Sequence, residues 1–130
     1  MATSSSFNVL ICEDEVEISD VMAELIEGAG FTPIVTNSAR TALSELEKNN
    51  QLGAILTDNM MPGMSGIAFL REARKRGFQQ PAILISALYP QNIRDLMDEL
   101  NIVALLDKPV PFKQLKDALD RLYESKEKAS

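Results

Sequence analysis

The sequence predicts an α/β fold, a doubly wound three-layer sandwich around a parallel sheet, on three observations. Five short apolar runs alternate with five stretches whose apolar residues recur at helical spacing. The connections between them are short. The apolar runs lack the period-two alternation of a sheet wetted on one face, so both faces must be covered, as happens when helices cross over between parallel strands.

In chain order, residues 1–7 read as a flexible lead-in that includes Ser4 to Ser6. Val9, Leu10 and Ile11 form a first strand that stops at Cys12-Glu13-Asp14-Glu15. Ile18, Val21, Met22, Leu25 and Ile26 share the face of a first helix, which Gly28 and Gly30 end. Thr32 to Thr36, with Ile34 and Val35, make a second strand. Ser38 then caps a second helix that buries Ala39, Ala42, Leu43 and Leu46 and closes at Asn49-Asn50. Ala54, Ile55 and Leu56 belong to a third strand. It ends at Asp58, because Pro62, Gly63 and Gly66 cannot continue it.

Ile67, Phe69, Leu70 and Ala73 give a third helix, ending in Arg74-Lys75-Arg76 before Gly77, where the helix dipole favours cations. Pro81 introduces a fourth strand, Ala82 to Ser86, and Tyr89-Pro90 mark a loop. Ile93, Leu96, Met97 and Leu100 outline a fourth helix. Val103 to Leu106 form a fifth strand ending in Asp107-Lys108. Pro111 suits the first position of a last helix whose apolar face is Phe112, Leu115, Ala118, Leu119 and Leu122. Ser125 onward reads as frayed, with 127–130 as a flexible tail, so the domain proper is expected over 8–126.

Composition excludes several function classes. A chain of 130 residues is long enough for one core and too short for two. A net charge of -6 and a pI near 4.6 argue against direct nucleic-acid binding, which needs clustered Lys and Arg. The single cysteine, Cys12, permits no intrachain disulfide, and the absence of His removes a zinc site and any Ser-His or Cys-His nucleophile pair. Neither a signal peptide nor a membrane span is legible, so a cytoplasmic location without membrane contact is expected.

Parallel strands bring their carboxyl ends to one edge of the sheet, where open α/β sheets bind ligands. Alone, an acid such as Asp58 at a strand end reads as a turn cap. Here Glu13-Asp14 follow the first strand, Asp58 the third and Lys108 the fifth, and Ser86 closes the fourth. Acids, a hydroxyl and an ammonium gathered on one edge make a candidate site.

The pair Glu13-Asp14, the run Asp58-x-x-Met61-Pro62-x-x-x-Gly66, Ser86-Ala87 and Lys108-Pro109 stand in the order and on the elements of the receiver domains of two-component response regulators. The chain resembles that family over nearly its whole length, and is similar to single-domain chemotaxis-type regulators. The resemblance implies a flavodoxin-like sheet of order 2-1-3-4-5 with five helices. It implies that Asp58 is a phosphoacceptor taking a phosphoryl group from a sensor histidine kinase or phosphotransfer protein, with Lys108 and Ser86 completing the catalytic set. It further implies Mg²⁺, or Mn²⁺ in its place, held by Asp14 and Asp58, by Glu13 through water and by the Met60 carbonyl. Pro109 resembles the family's cis-proline. The implied output is contact with a downstream protein through the face of the fourth helix, fifth strand and fifth helix, or formation of a homodimer, and no dedicated turnover chemistry.

Physical chemistry supports that reading. Three packed carboxylates repel one another, which calls for a hard cation with oxygen ligands. Phosphoryl transfer needs positioning and charge neutralisation more than proton transfer, so it tolerates the absence of His. Some positions depart from the family pattern. Leu105 stands where receivers carry a switch Tyr or Phe, so coupling is expected to pass through Ser86 with Leu105 repacking or Tyr89 sharing the role. Met60 and Leu88, two residues beyond Asp58 and Ser86, are apolar and leave a hydrolytic water unoriented, which predicts a long-lived phosphoryl group. Val110-Pro111-Phe112 lengthens the entry to the last helix. Cys12, beside the acids, reads as a redox handle or as a buried small apolar residue, and the second is favoured because nearby carboxylates raise a thiol pKa.

Three alternatives carry other expectations. The chain could be a receiver cut from a larger hybrid kinase or regulator, although no output region follows the last helix in the sequence at hand. It could be a receiver-like module that acts without phosphorylation. A flavodoxin-like enzyme or nucleotide binder would need a Gly-rich loop after the first strand, where Cys12-Glu13-Asp14-Glu15 is acidic.

Overall fold

A computed structural model describes residues 7–48 and 51–129. The elements are β1 (Asn8–Cys12), α1 (Val16–Gly28), β2 (Thr32–Thr36), α2 (Ala39–Lys48), β3 (Leu52–Asp58), α3 (Gly66–Lys75), β4 (Ala82–Ile85), α4 (Ile93–Leu100), β5 (Ile102–Leu106) and α5 (Phe112–Ala129). All four strand pairings are parallel and the order is β2-β1-β3-β4-β5. This is the expected doubly wound flavodoxin-like sandwich. The expected close at Asn49-Asn50 and the start of the lead-in lie outside the described residues.

The strands read as continuous apolar runs because alternate residues enter two different cores. Leu10, Ile55 and Leu84 pack with Leu43, Leu46, Phe69, Leu70 and Leu96 from α2, α3 and α4. Val9, Ile11, Leu56, Ile83 and Ile85 pack on the other face with Met22, Ile26, Leu115 and Leu119 from α1 and α5. Burying one such Leu or Ile contributes about 2 kcal/mol, so the central strands are the most expensive place to insert a polar group.

Helix boundaries follow local chemistry. The Ser38 hydroxyl accepts from the Thr41 amide at 3.1 Å, and the Ser65 hydroxyl from the Ala68 amide at 3.1 Å, each satisfying a donor that a helix start leaves free. At the end of α3 the Arg74 guanidinium donates to the carbonyls of Leu100 and Phe78, both at 2.8 Å, tying α3 to the end of α4.

Four details differ from the sequence reading. Phe7, expected in the lead-in, is buried, with ring centroids 5.3 Å from Phe31 and 5.4 Å from Tyr123. Room for it comes from Gly53, where a Cβ would sit 2.6 Å from the Phe7 ring. Val21 is 54% and Phe112 41% exposed, off the buried faces to which helical spacing assigned them, because α1 and α5 each bury a narrower stripe. Pro111 lies just before α5, its carbonyl accepting from the Leu115 amide at 3.0 Å, one position earlier than expected. The backbone of α5 continues to Ala129, past the point where fraying was expected.

Candidate functional site

The site is built by sheet register. Cys12 pairs with Thr57, Asp58 with Ile85 and Ile85 with Leu106, so β1, β3, β4 and β5 end level with one another. The ladder continues one step further, with the Glu13 amide donating to Thr36, that of Asn59 to Ile85 and that of Ser86 to Leu106. Glu13, Asp58, Ser86 and Lys108 therefore reach the same edge because their strands stop at the same height.

The turn after β3 is held closely. A Cβ on Gly66 would lie 2.4 Å from the Asp58 carbonyl oxygen, so only glycine lets the start of α3 approach the strand end this tightly. The Asn59 side chain accepts from the Ile67 amide at 3.0 Å, and the Gly66 amide donates to the Asn59 carbonyl at 3.0 Å. Asn37, after β2, donates to the Glu13 carbonyl at 2.7 Å and to the Ser19 hydroxyl at 3.0 Å. Sequence reasoning missed Asn37 and Asn59 as positioning residues. Asn37 was findable by the same rule that found the others, since it is the polar residue following a strand.

Glu13, Asp14 and Asp58 each offer a carboxylate oxygen, all within 4.8 Å of one another. Glu13 and Asp58 are buried and Asp14 half-buried. One Asp58 oxygen accepts from the Met60 amide at 3.3 Å and the other from the Lys108 Nζ at 3.0 Å. The Lys108 Nζ also lies 3.8 Å from Glu13 Oε1, and the Lys108–Pro109 peptide is cis, as the resemblance implies. Glu13 Oε2 accepts from the Glu15 amide at 3.1 Å, while Oε1 is buried without a hydrogen-bond partner.

Burial is the main reason the Glu13 pKa is pushed up to about 7, the Asp58 charge adding to it and Lys108 partly offsetting it. Burial alone would lower the Lys108 pKa, but the hydrogen bond and charge of Asp58 outweigh it and hold the ammonium protonated. Cys12 is pushed up to about 12, again mainly by burial, which fits its reading as a buried small residue. An orphaned buried oxygen amid three hard carboxylate donors fits a divalent cation such as Mg²⁺.

The hydroxyl side of the site is arranged differently. Ser86 is buried, and its hydroxyl donates to the Leu88 carbonyl at 2.6 Å and accepts from the Leu88 amide at 3.3 Å. The Tyr89 hydroxyl turns back onto the strand ends, reaching the carbonyls of Leu106 and, at 3.3 Å, Leu84. Its pKa is raised, chiefly by burial. Tyr89 and Leu105 are half-buried and pack against the same core. Met60 and Leu88 are the exposed side chains, at 69% and 81%.

Residues 9–120 match the response regulator receiver domain family. The chain belongs to that family. The receiver is 29% identical over 122 residues to the alkaline phosphatase synthesis transcriptional regulatory protein SphR of Synechococcus elongatus, covering 88% of this chain and 48% of the relative. It is 33% identical over 107 residues to the transcriptional regulatory protein CpxR of Escherichia coli, covering 82% and 45%. The receiver thus spans about half the length of the curated relatives it matches. Among solved structures, the receiver domain of the Francisella response regulator 1452 aligns with a TM-score of 0.81 at 27% identity, over 92% of this chain and 98% of that one. A chemotaxis protein CheY4 of Vibrio cholerae shares the fold, with a TM-score of 0.80 at 21% identity over 89% and 98%.

The receiver is a signalling module of the two-component type, and its acidic pocket of Glu13, Asp14 and Asp58 fits a phosphoacceptor site. Among the described residues, no helix is long and apolar enough to cross a membrane.

Proposed function

We propose that Asp58 accepts a phosphoryl group from a phosphohistidine on a sensor histidine kinase or phosphotransfer protein. An Asp58 carboxylate oxygen attacks phosphorus, the P–N bond breaks, and imidazole leaves as the acyl phosphate forms. The observation that carries this reading is the buried Asp58 carboxylate, within 4.8 Å of two further acids and 3.0 Å from the Lys108 ammonium.

Asp14, Asp58, the Met60 carbonyl and, through water, Glu13 are the residues that would hold Mg²⁺, or Mn²⁺ in its place. Bound there, the cation supplies charge neutralisation for the phosphoryl oxygens. Lys108, 3.0 Å from Asp58, would share that task. Lys108 and Pro109 also end an apolar groove with Ile18, Val21, Met22 and Leu25, which supports docking of a donor helix next to the pocket.

Ser86 is the switch hydroxyl, leaving Leu88 to donate to the new phosphoryl group. Tyr89 and Leu105 would then repack the surface of α4, β5 and α5 that meets a downstream protein or a second copy. Beyond its own phosphorylation and slow dephosphorylation, no turnover chemistry is proposed, and the proposed site of action is the cytoplasm, with 8–126 as the working unit. A second reading is a receiver within a longer regulator, favoured by the span of about half of SphR and CpxR.

Incubation with Mg²⁺ and acetyl phosphate, followed by intact-mass measurement, tests the proposal. The unmutated chain should gain one phosphoryl group and Asp58→Asn none. Equal gain in both would refute Asp58 as the acceptor.

A further inference from the structure

We propose that Met60 is a peroxide-sensitive modification site at the mouth of the acidic pocket, and that its conversion to the sulfoxide shortens the life of the phosphoryl group. The second half rests on the phosphoacceptor reading above. Met60 is exposed, whereas Met22 is buried and Met61, Met64 and Met97 are half-buried. Met61 is shielded further, because the Cys12 thiol donates to its sulphur at 3.7 Å. Among the described methionines, Met60 thus offers an oxidant the most open thioether. Cys12 is no competitor, because it is fully buried and closed to an oxidant in solution. Placement makes this more than a surface methionine: the Met60 amide donates to Asp58 Oδ1 at 3.3 Å, which fixes the Met60 backbone, and so the root of its flexible side chain, next to the acceptor carboxylate.

The oxidant is a hydroperoxide, in the simplest case hydrogen peroxide. A sulphur lone pair attacks one peroxide oxygen, the O–O bond breaks and an S–O bond forms. The other oxygen leaves as water after taking up the released proton. Sulphur loses two electrons to the peroxide, and a thiol-dependent reductase reverses the change. A thioether is a weak hydrogen-bond acceptor, while the sulfoxide oxygen is a strong one on the same flexible stem. Hydrolysis of an acyl phosphate needs a water lined up behind phosphorus. The sulfoxide oxygen supplies the acceptor that orients this water, which the thioether of Met60 and the aliphatic Leu88 do not.

The test uses the full chain, treated briefly with hydrogen peroxide, mapped by peptide mass, then loaded with acetyl phosphate and Mg²⁺ and followed for phosphate loss. Met60 should gain its oxygen several-fold faster than Met61, Met64 or Met97. The phosphoryl lifetime should fall by about tenfold, the effect of one well-placed hydrogen bond on a barrier. Peroxide should leave the lifetime of Met60→Leu where it stood before treatment, and Met60→Gln should show the shortened lifetime without peroxide. Oxidation of Met60 no faster than of the half-buried methionines, or an unchanged lifetime in oxidised protein, would overturn the proposal. Failure of the unmutated chain to load at all would instead sink the phosphoacceptor reading, and this regulation with it, while the oxidation map would still rank the thioethers.

Discussion

The two sides of the pocket are held by different means. On the acid side, Glu13 and Asp58 stand where the β1–β3 register puts them, with Gly66, Asn59 and Asn37 locking the backbone on either side. On the hydroxyl side, Ser86 bonds within its own turn to Leu88, and Tyr89 closes that turn onto the Leu106 and Leu84 carbonyls. The acids cannot move without breaking the sheet. The hydroxyls can move by exchanging one acceptor for another, at a cost near that of a single hydrogen bond, about 1 kcal/mol. Under the proposed function, chemistry falls to the rigid side and switching to the exchangeable one.

The largest predicted effect breaks the rigid side. Gly66→Ala should cost about 3 kcal/mol or more in denaturant unfolding, because the new methyl meets the Asp58 carbonyl oxygen at 2.4 Å. Phosphoryl uptake should fall with it, since α3 and Asp58 must separate.

Next comes pH. Glu13 has its pKa raised from 4.5 to about 7, so in the cation-free protein the unfolded chain releases this proton first as pH rises. Stability should therefore drop between those two values, by about 3 kcal/mol, and stay level above them. Thermal melts across that window should show the decline, Mg²⁺ should suppress it, and Glu13→Gln should remove it. A melting temperature that rises with pH there would contradict the burial of an unpartnered Glu13 oxygen.

At the rim between the two sides, Met60→Asn should shorten the phosphoryl lifetime by about tenfold, since an amide beside Asp58 can orient water where the thioether does not. A lifetime of seconds in the unmutated protein, left unchanged by the substitution, would refute the predicted slow hydrolysis.

The smallest effect sharpens the exchangeable side. Tyr89→Phe should lower stability by only about 1 kcal/mol while leaving phosphoryl uptake at Asp58 intact. The same variant should lose the phosphorylation-dependent change around α4 and β5, read by amide exchange over residues 86–106. If that change survives, Leu105 repacks without the tyrosine.

Much of the fold was legible in the chain. Apolar runs on both faces forced a covered parallel sheet, and Ser38 and Gly77 punctuate helices through chemistry that acts within a few residues. Glu13, Asp14, Asp58, Ser86 and Lys108 could be placed on one edge from the sequence, because each ends a strand or lies within two residues of a strand's end and parallel strands end on one edge. Phe7, Val21 and Phe112 were misplaced because residue type and spacing do not say how wide a stripe a neighbour will cover.

The sequence alone determined which groups meet, since hydrophobic period and chain direction are properties of local order. Only the tertiary structure decided how they meet. The 3.0 Å contact of Lys108 with Asp58, the orphaned Glu13 oxygen and the return of Tyr89 onto Leu106 join residues far apart in the chain. Register and side-chain rotamer set such contacts, and both are settled when the whole core packs.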